Sequence, residues 1–196
     1  MKITRQQEKA IKQLFTAKGW PQRIAALTIV AAAAFTWWQQ DQVKPGQMVK
    51  GGQIIGKVIN VADGDTITLQ DAEHKQYKLR LAYIDAPESA MPFGPESKQH
   101  LNQLVGGKQV EARVDDVDAY GRGVARILRE GKDINLAQVD GGYAWHYSQY
   151  AKKGQDQGQF ARYQQAQQSA KKEKEGLWRA PSPMPPWDWR RQNKIP

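Results

Sequence analysis

Three short segments of this 196-residue chain hold its chemically versatile side chains: Asp63-Gly64-Asp65-Thr66, Arg80 through Asp85 to Glu88 (RLAYIDAPE), and Asp118 to Gly123 (DAYGRG). Each has an ordinary structural use. Asp-Gly between alternating apolar residues marks a hairpin, Asp-Ala-Pro opens a loop because the residue before proline resists helix, and Tyr-Gly-Arg-Gly makes a second turn. Taken together they match what hydrolysis of a phosphodiester demands. The transition state gathers negative charge on phosphorus, so fixed cations must face its equatorial oxygens. A base must take a proton from the attacking water. A hard divalent cation helps to position both. Asp65 and Asp85 supply hard oxygen ligands of the kind Ca²⁺ prefers, and a backbone carbonyl can add a third. Arg80 and Arg122 offer planar, permanently charged forks that match phosphate bidentately. Glu88 is then a spare carboxylate close to the metal ligand, as a general base should be. The chain has no cysteine, which excludes disulfides, thiolate zinc sites and thiol nucleophiles. His74, His100 and His146 have no paired spacing and read as surface or packing residues.

The elements that must carry these residues begin after Gly52. Alternation predicts strands over Ile54 to Val61, Thr66 to Leu69 and Tyr77 to Ile84. Helical spacing follows from Pro95 to Val105, stopped by Gly106-Gly107. Two more strands, Gln109 to Val114 and Gly123 to Leu128, precede helices over Asn135 to Asp140 and about Gln157 to Lys174. This order fits an α+β fold, a five-stranded OB-type barrel with about three packed helices. One conflict is visible. Arg80 and Asp85 lie five apart on one expected strand and would face opposite sides, so a bulge or the strand's end must reorient one of them.

These motifs also carry a resemblance. VADGDTITL, LRLAYIDAPE, DAYGRGVARI and the later AKKEKEGLW stand in the order and spacing of the staphylococcal nuclease family, over roughly Gly56 to Trp178. The resemblance implies an OB-fold endonuclease acting on DNA and RNA and leaving 3′-phosphates. It implies Asp65, Asp85 and the Ala86 carbonyl as Ca²⁺ ligands, with Asp63 and Thr66 supporting them. Arg80 and Arg122 would be the transition-state arginines and Glu88 the base. Two positions depart from the family pattern. Ala119 stands where a lysine precedes the tyrosine, removing one phosphate contact, and Ala86 replaces a threonine of which only the backbone carbonyl is needed. The aromatic strip Tyr143 to Tyr150 sits where the family stacks substrate bases, with up to half of it open to a reading as core or helix-packing residues; Tyr147 and Tyr150 of the strip, together with Tyr120, are the candidate binding residues. Stacking on aromatics favours single strands.

The formal charge of +9 first points to nucleic acid or an anionic membrane. Its location weakens that inference for the barrel, because residues 1–23 alone net +5: six basic residues against Glu8. The following run, Ile24 to Trp38, is apolar apart from threonine. Counted from Trp20 to Trp38 it approaches membrane-spanning length, with tryptophans at both ends and the basic flank on the cytoplasmic side. Three readings stay open: an uncleaved signal anchor, a signal peptide cut after Ala34, and an Ala-rich helix of a soluble protein. The first two place the domain outside the cytoplasm, tethered or secreted. The chain thus divides into a basic region (1–23), an apolar segment (24–38), a linker (39–52), the barrel domain (53–178) and a Pro/Trp-rich tail (179–196). That tail is expected to be extended, with Trp187, Trp189, Arg190 and Arg191 either packed on the barrel or at the membrane. No obligate protein partner is inferred. The competing functional readings are a barrel that binds nucleic acid or protein without cutting it, and a tethered component whose tail recruits a partner.

Overall fold

The structure, a computed structural model, describes residues 48–193; the apolar segment and its basic flank lie outside the described residues. Among the described residues no helix is long and apolar enough to cross a membrane.

Strand β1 (Gln53–Val61) buries every second residue up to Val58, so Ile54 and Val58 face inward and polar neighbours face out. It pairs antiparallel with β2 (Thr66–Gln70) and with β5 (Gln109–Val117). β2 pairs with β3 (Gln76–Leu81), and β5 with β6 (Gly123–Arg129). A parallel pairing of β3 with β6 closes these five strands into a barrel, with Arg80 beside Val124. The closure leaves only the two-residue β7 (Lys132–Asp133) appended to β6. This is an α+β, OB-type barrel.

Helix α1 (Gly94–Val105) buries Leu101 and Val105 in the core, which is continuous with that of the barrel. Truncating a leucine so buried costs roughly 2–5 kcal/mol. Helix α2 (Ile134–Asp140) starts at Asp133, whose carboxylate accepts from the Leu136 N–H. The two-residue β8 (Trp145–His146) leads to the single turn α3 (Ser148–Ala151). Helix α4 (Gln157–Glu173) is capped by Asp156 and packs through Tyr163, Ala166 and Ala170.

Three sequence expectations need correction. The strand expected over Tyr77 to Ile84 breaks: β3 ends at Leu81, Tyr83 takes a left-handed φ of 66°, and β4 (Ile84–Asp85) leaves the barrel to pair with β8. The strand begun at Gln109 runs on to Val117, because β6 pairs along it through a register shift near Asp116. The tail is not extended throughout: after a 3₁₀ turn at Gly176–Arg179 that closes the barrel domain, helix α5 spans Pro186–Gln192. Pro181, Pro183, Pro185 and Pro186 precede or open that helix instead of interrupting it, and proline at a first helical position loses no hydrogen bond. With α3 and α5 the helices number five among the described residues, beyond the three expected.

Candidate active site

The first wall of the site is built by the β1–β2 turn and the β3–β4 break. In the turn, the Ala62 N–H donates to the Thr66 carbonyl at 2.9 Å and the Asp65 N–H donates to Asp63 Oδ1 at 3.0 Å. Gly64 is required by proximity: a Cβ there would stand 1.8 Å from Ser97 Oγ of α1. Gln138 of α2 donates to the Gly64 carbonyl at 2.7 Å, so two helices fix the turn from behind. Asp65 is thereby held beneath Arg80, whose neighbour across the ladder is Thr66.

Arg80 then joins the two aspartates. Its Nη1 donates to Asp65 Oδ1 at 2.7 Å and its Nη2 to Asp85 Oδ1 at 2.8 Å. The left-handed Tyr83 makes this possible by turning the chain between Arg80 and Asp85, the reorientation that the five-residue spacing required. The Ala86 N–H donates to Asp65 Oδ2 at 2.9 Å and Thr66 Oγ1 to Asp65 Oδ1 at 3.1 Å. Burial, followed by the charge of Asp65, pushes the Asp63 carboxyl up to about 6. Burial also raises Asp85, against the pull of the arginines on it. Such displaced carboxyls clustered in a cleft are common at functional sites.

The second wall is the turn from β5 into β6. Asp118 accepts from the Tyr120 N–H, the Arg122 N–H and Arg122 Nε, at 3.0, 2.9 and 2.7 Å. Burial alone would raise the Asp118 carboxyl, but these bonds hold it below its ordinary range. Gly121, at φ 75°, lets the turn close. Arg122 lies against the ring of Tyr120, 5.4 Å from its centroid, and Tyr120 is 70% exposed. Tyr147 and Tyr150 bring a third side, their rings stacked 6.2 Å apart.

These walls enclose one cavity of about 730 Å³ lined by Asp63, Asp65, Arg80, Ala86, Glu88, Arg122 and all three tyrosines. Asp85 is absent from the lining because it is wholly buried. The rest of the aromatic strip does not reach the cavity. Trp145 packs edge-on against Trp178 and Trp187, His146 is buried, and Tyr143 stacks on His100. Among the described residues no three His, Asp or Glu side chains are grouped so as to hold a metal ion by themselves.

Sequence reasoning missed two residues. Asp118, which orients Arg122, stood inside a quoted motif without a role; its place as the first residue of an Asx-type turn was the available signal. Arg190 of α5 is the larger omission. Its Nη2 donates to Asp85 Oδ2 at 2.6 Å, and its Nη1 donates to Glu88 Oε1 at 2.6 Å and Asp85 Oδ1 at 3.2 Å. One helical turn earlier, Trp187 stacks on Tyr147 with ring centroids 5.1 Å apart. Charge and aromaticity marked the tail in the sequence, and packing on the barrel was one of its two expected destinations; the contact with these carboxylates was not foreseen.

Residues 78–180 match the family model described as "Staphylococcal nuclease homologue". The chain is 40% identical over 139 residues to an uncharacterized endonuclease of Haemophilus influenzae, covering 71% of this chain and 74% of that one. An uncharacterized endonuclease of Escherichia coli O157:H7 is 36% identical over 138 residues, 70% of this chain and 85% of that one. A probable staphylococcal-like nuclease of Oryza sativa subsp. japonica is 41% identical over 120 residues, 61% of this chain and 34% of that protein. The matched segment thus spans most of the bacterial relatives but only a third of the rice one.

Proposed function

The chain belongs to the staphylococcal nuclease family and is a nuclease hydrolase, and from that premise we propose a calcium-dependent endonuclease that cuts phosphodiester bonds in DNA and RNA, leaving 3′-phosphates. One observation carries the reading: Arg80 spans Asp65 and Asp85 on a cavity that also takes in Glu88 and Arg122. The donor set fits a hard cation. Asp65 and Asp85 are bridged by the Arg80 guanidinium, which brings their hard carboxylate oxygens near one another, and in this structure arginines neutralise them. Asp65, Asp85 and the Ala86 carbonyl would hold Ca²⁺, and its remaining positions are left to water and substrate. Bound there, the cation would polarise a phosphate oxygen and lower the cost of charge on the phosphoryl group.

The chain's own residues do the rest. Arg80 and Arg122 approach the cavity from two walls, so one phosphate can accept from both as its oxygens gain charge. The bonds of Arg80 to two buried aspartates fix its guanidinium before substrate arrives. Glu88 accepts the proton of the attacking water. Asp63 holds the Asp65 backbone and Thr66 the Asp65 carboxylate. Tyr120, Tyr147 and Tyr150 supply faces for unpaired bases, which favours single strands. The reading is tested by incubating the purified chain with single-stranded DNA, in Ca²⁺ and then in excess EGTA, beside Asp65→Ala. Cutting that needs calcium and Asp65 supports it; a folded protein that binds DNA in calcium and leaves it intact overturns it.

Residues 20–38 and their basic flank support a location outside the cytoplasm, anchored or released by cleavage after Ala34. Protease treatment of intact and permeabilised cells tests this: degradation of the barrel only after permeabilisation of the inner membrane would refute it.

A further inference from the structure

We propose that Arg190 is a positioning residue of this site that competes with the divalent cation: it holds Asp85 and Glu88 while no cation is bound, and it must release Asp85 when one arrives. The inference rests on the reading of Asp65 and Asp85 as cation ligands and goes beyond it, since no motif of the barrel includes the tail.

Arg190 donates to both carboxylate oxygens of Asp85, while Oδ1 also accepts from Arg80. Asp85 is fully buried with Arg190 in place. A divalent cation ligated by Asp85 would stand within a few ångströms of the Arg190 guanidinium, where like charges repel strongly in a site of low dielectric. Arg80 takes only Oδ1, so Arg190 and the cation compete for Oδ2, which accepts from Arg190 alone among the described residues. Arg190 also spans Asp85 and Glu88 with one guanidinium, as a single cation between a ligand and a base would. It fixes the Glu88 carboxylate beside the cavity at the same time.

Trp187 makes the tail a docked element instead of a passing contact. It lies three residues before Arg190, on the same helical face. Its ring stacks on Tyr147 at an interplanar angle of 12°, covering a face that a nucleic-acid base would use. Helix α5 therefore places an aromatic ring and a cation on the two features that substrate and metal require. Arg191, by contrast, is exposed and pairs with Asp188 of its own helix.

The expected effect follows from populations. If the tail is docked about nine-tenths of the time, the apparent cation affinity is reduced about tenfold. Calorimetric titration of Ca²⁺ into the full chain in detergent, without substrate, reads this directly. Arg190→Gln is expected to bind Ca²⁺ about tenfold more tightly than the parent. Trp187→Ala should tighten binding too, because it loosens the docked helix while keeping the arginine. Arg191→Gln should match the parent. Equal or weaker binding by Arg190→Gln overturns the proposal and leaves the cation site standing. Tighter binding by Arg190→Gln with Trp187→Ala unchanged also overturns it, since loss of charge would then explain the gain without any displacement. No Ca²⁺ binding in any of the four proteins defeats the cation-site reading itself, and the proposal with it.

Discussion

Arg80 and Arg122 face one cavity but are held in different ways. Arg80 rises from a barrel strand and is shared between two buried aspartates that belong to separate segments, Asp65 and Asp85. Arg122 sits in a turn and is fixed by Asp118, four residues away, with both side chains partly exposed. The first arginine is woven into the tertiary structure; the second is a local device. Two buried carboxylates need a counter-charge, and Arg80 provides one. Arg122 has no such duty, so its contribution should be separable from folding.

The sharpest break of that contrast is Arg80→Gln. It leaves two buried carboxylates short of a partner, so stability should fall by about 3 kcal/mol and activity by at least about 10³-fold. Urea melts and cleavage assays on the same preparation would show both losses; a melt unchanged from the parent would dissolve the contrast. Glu88→Gln should lower the cleavage rate by about 10²–10⁴-fold while leaving the urea midpoint within experimental scatter. Turnover at the parent rate would remove Glu88 from the mechanism. Arg122→Gln should cost about 10²–10³-fold in rate but less than about 1 kcal/mol in stability, because its ion pair is partly exposed. A stability loss equal to that of Arg80→Gln would show that the local turn supports the barrel.

The smallest expected effect concerns pH and lies beside the site. His146, in β8 next to β4, is buried against Phe160 and Tyr163, and its Nδ1 finds no partner. Burial lowers its pKa below the ordinary 6.5. The unfolded chain therefore takes up a proton near 6.5 that the folded chain refuses. Stability from this group is present above about 6.5 and is lost as pH falls toward the folded value. Thermal melts from pH 7.5 to 5.5 should show a shallower decline for His146→Gln than for the parent, and parallel declines would assign the pH dependence to other groups.

Much of the site was legible because its chemistry sits in contiguous motifs at strand ends. Asp63-Gly64 reads as a turn whatever its use, and the turn delivers Asp65 and Thr66 to one place. The clash between the period of a strand and the Arg80–Asp85 spacing announced a break, and Tyr83 supplies it with a left-handed residue that no local pattern named. The barrel strands were legible for the same reason: each buries alternate residues, and that alternation is a local property. The extent of β5 was not, because its last residues are ordered by pairing with β6 rather than by their own hydrophobicity.

The tail marks the limit. Counting prolines predicts extended chain, whereas Pro186 opens a helix, a distinction of position within the element. The bond from Arg190 to Asp85 joins residues 105 positions apart, and no short-range signal encodes it. By itself, the sequence determined the turns, the alternating strands and the two acid-and-arginine motifs, because each depends on near neighbours, and the order of the motifs along the chain marked their family. Tertiary structure alone decided that β3 and β6 close the barrel, that Arg80 is shared by two aspartates, and that α5 returns to cover them. Those outcomes depend on which distant surfaces bury one another, and charge neutralisation inside a buried site is settled only when the whole chain has folded around it.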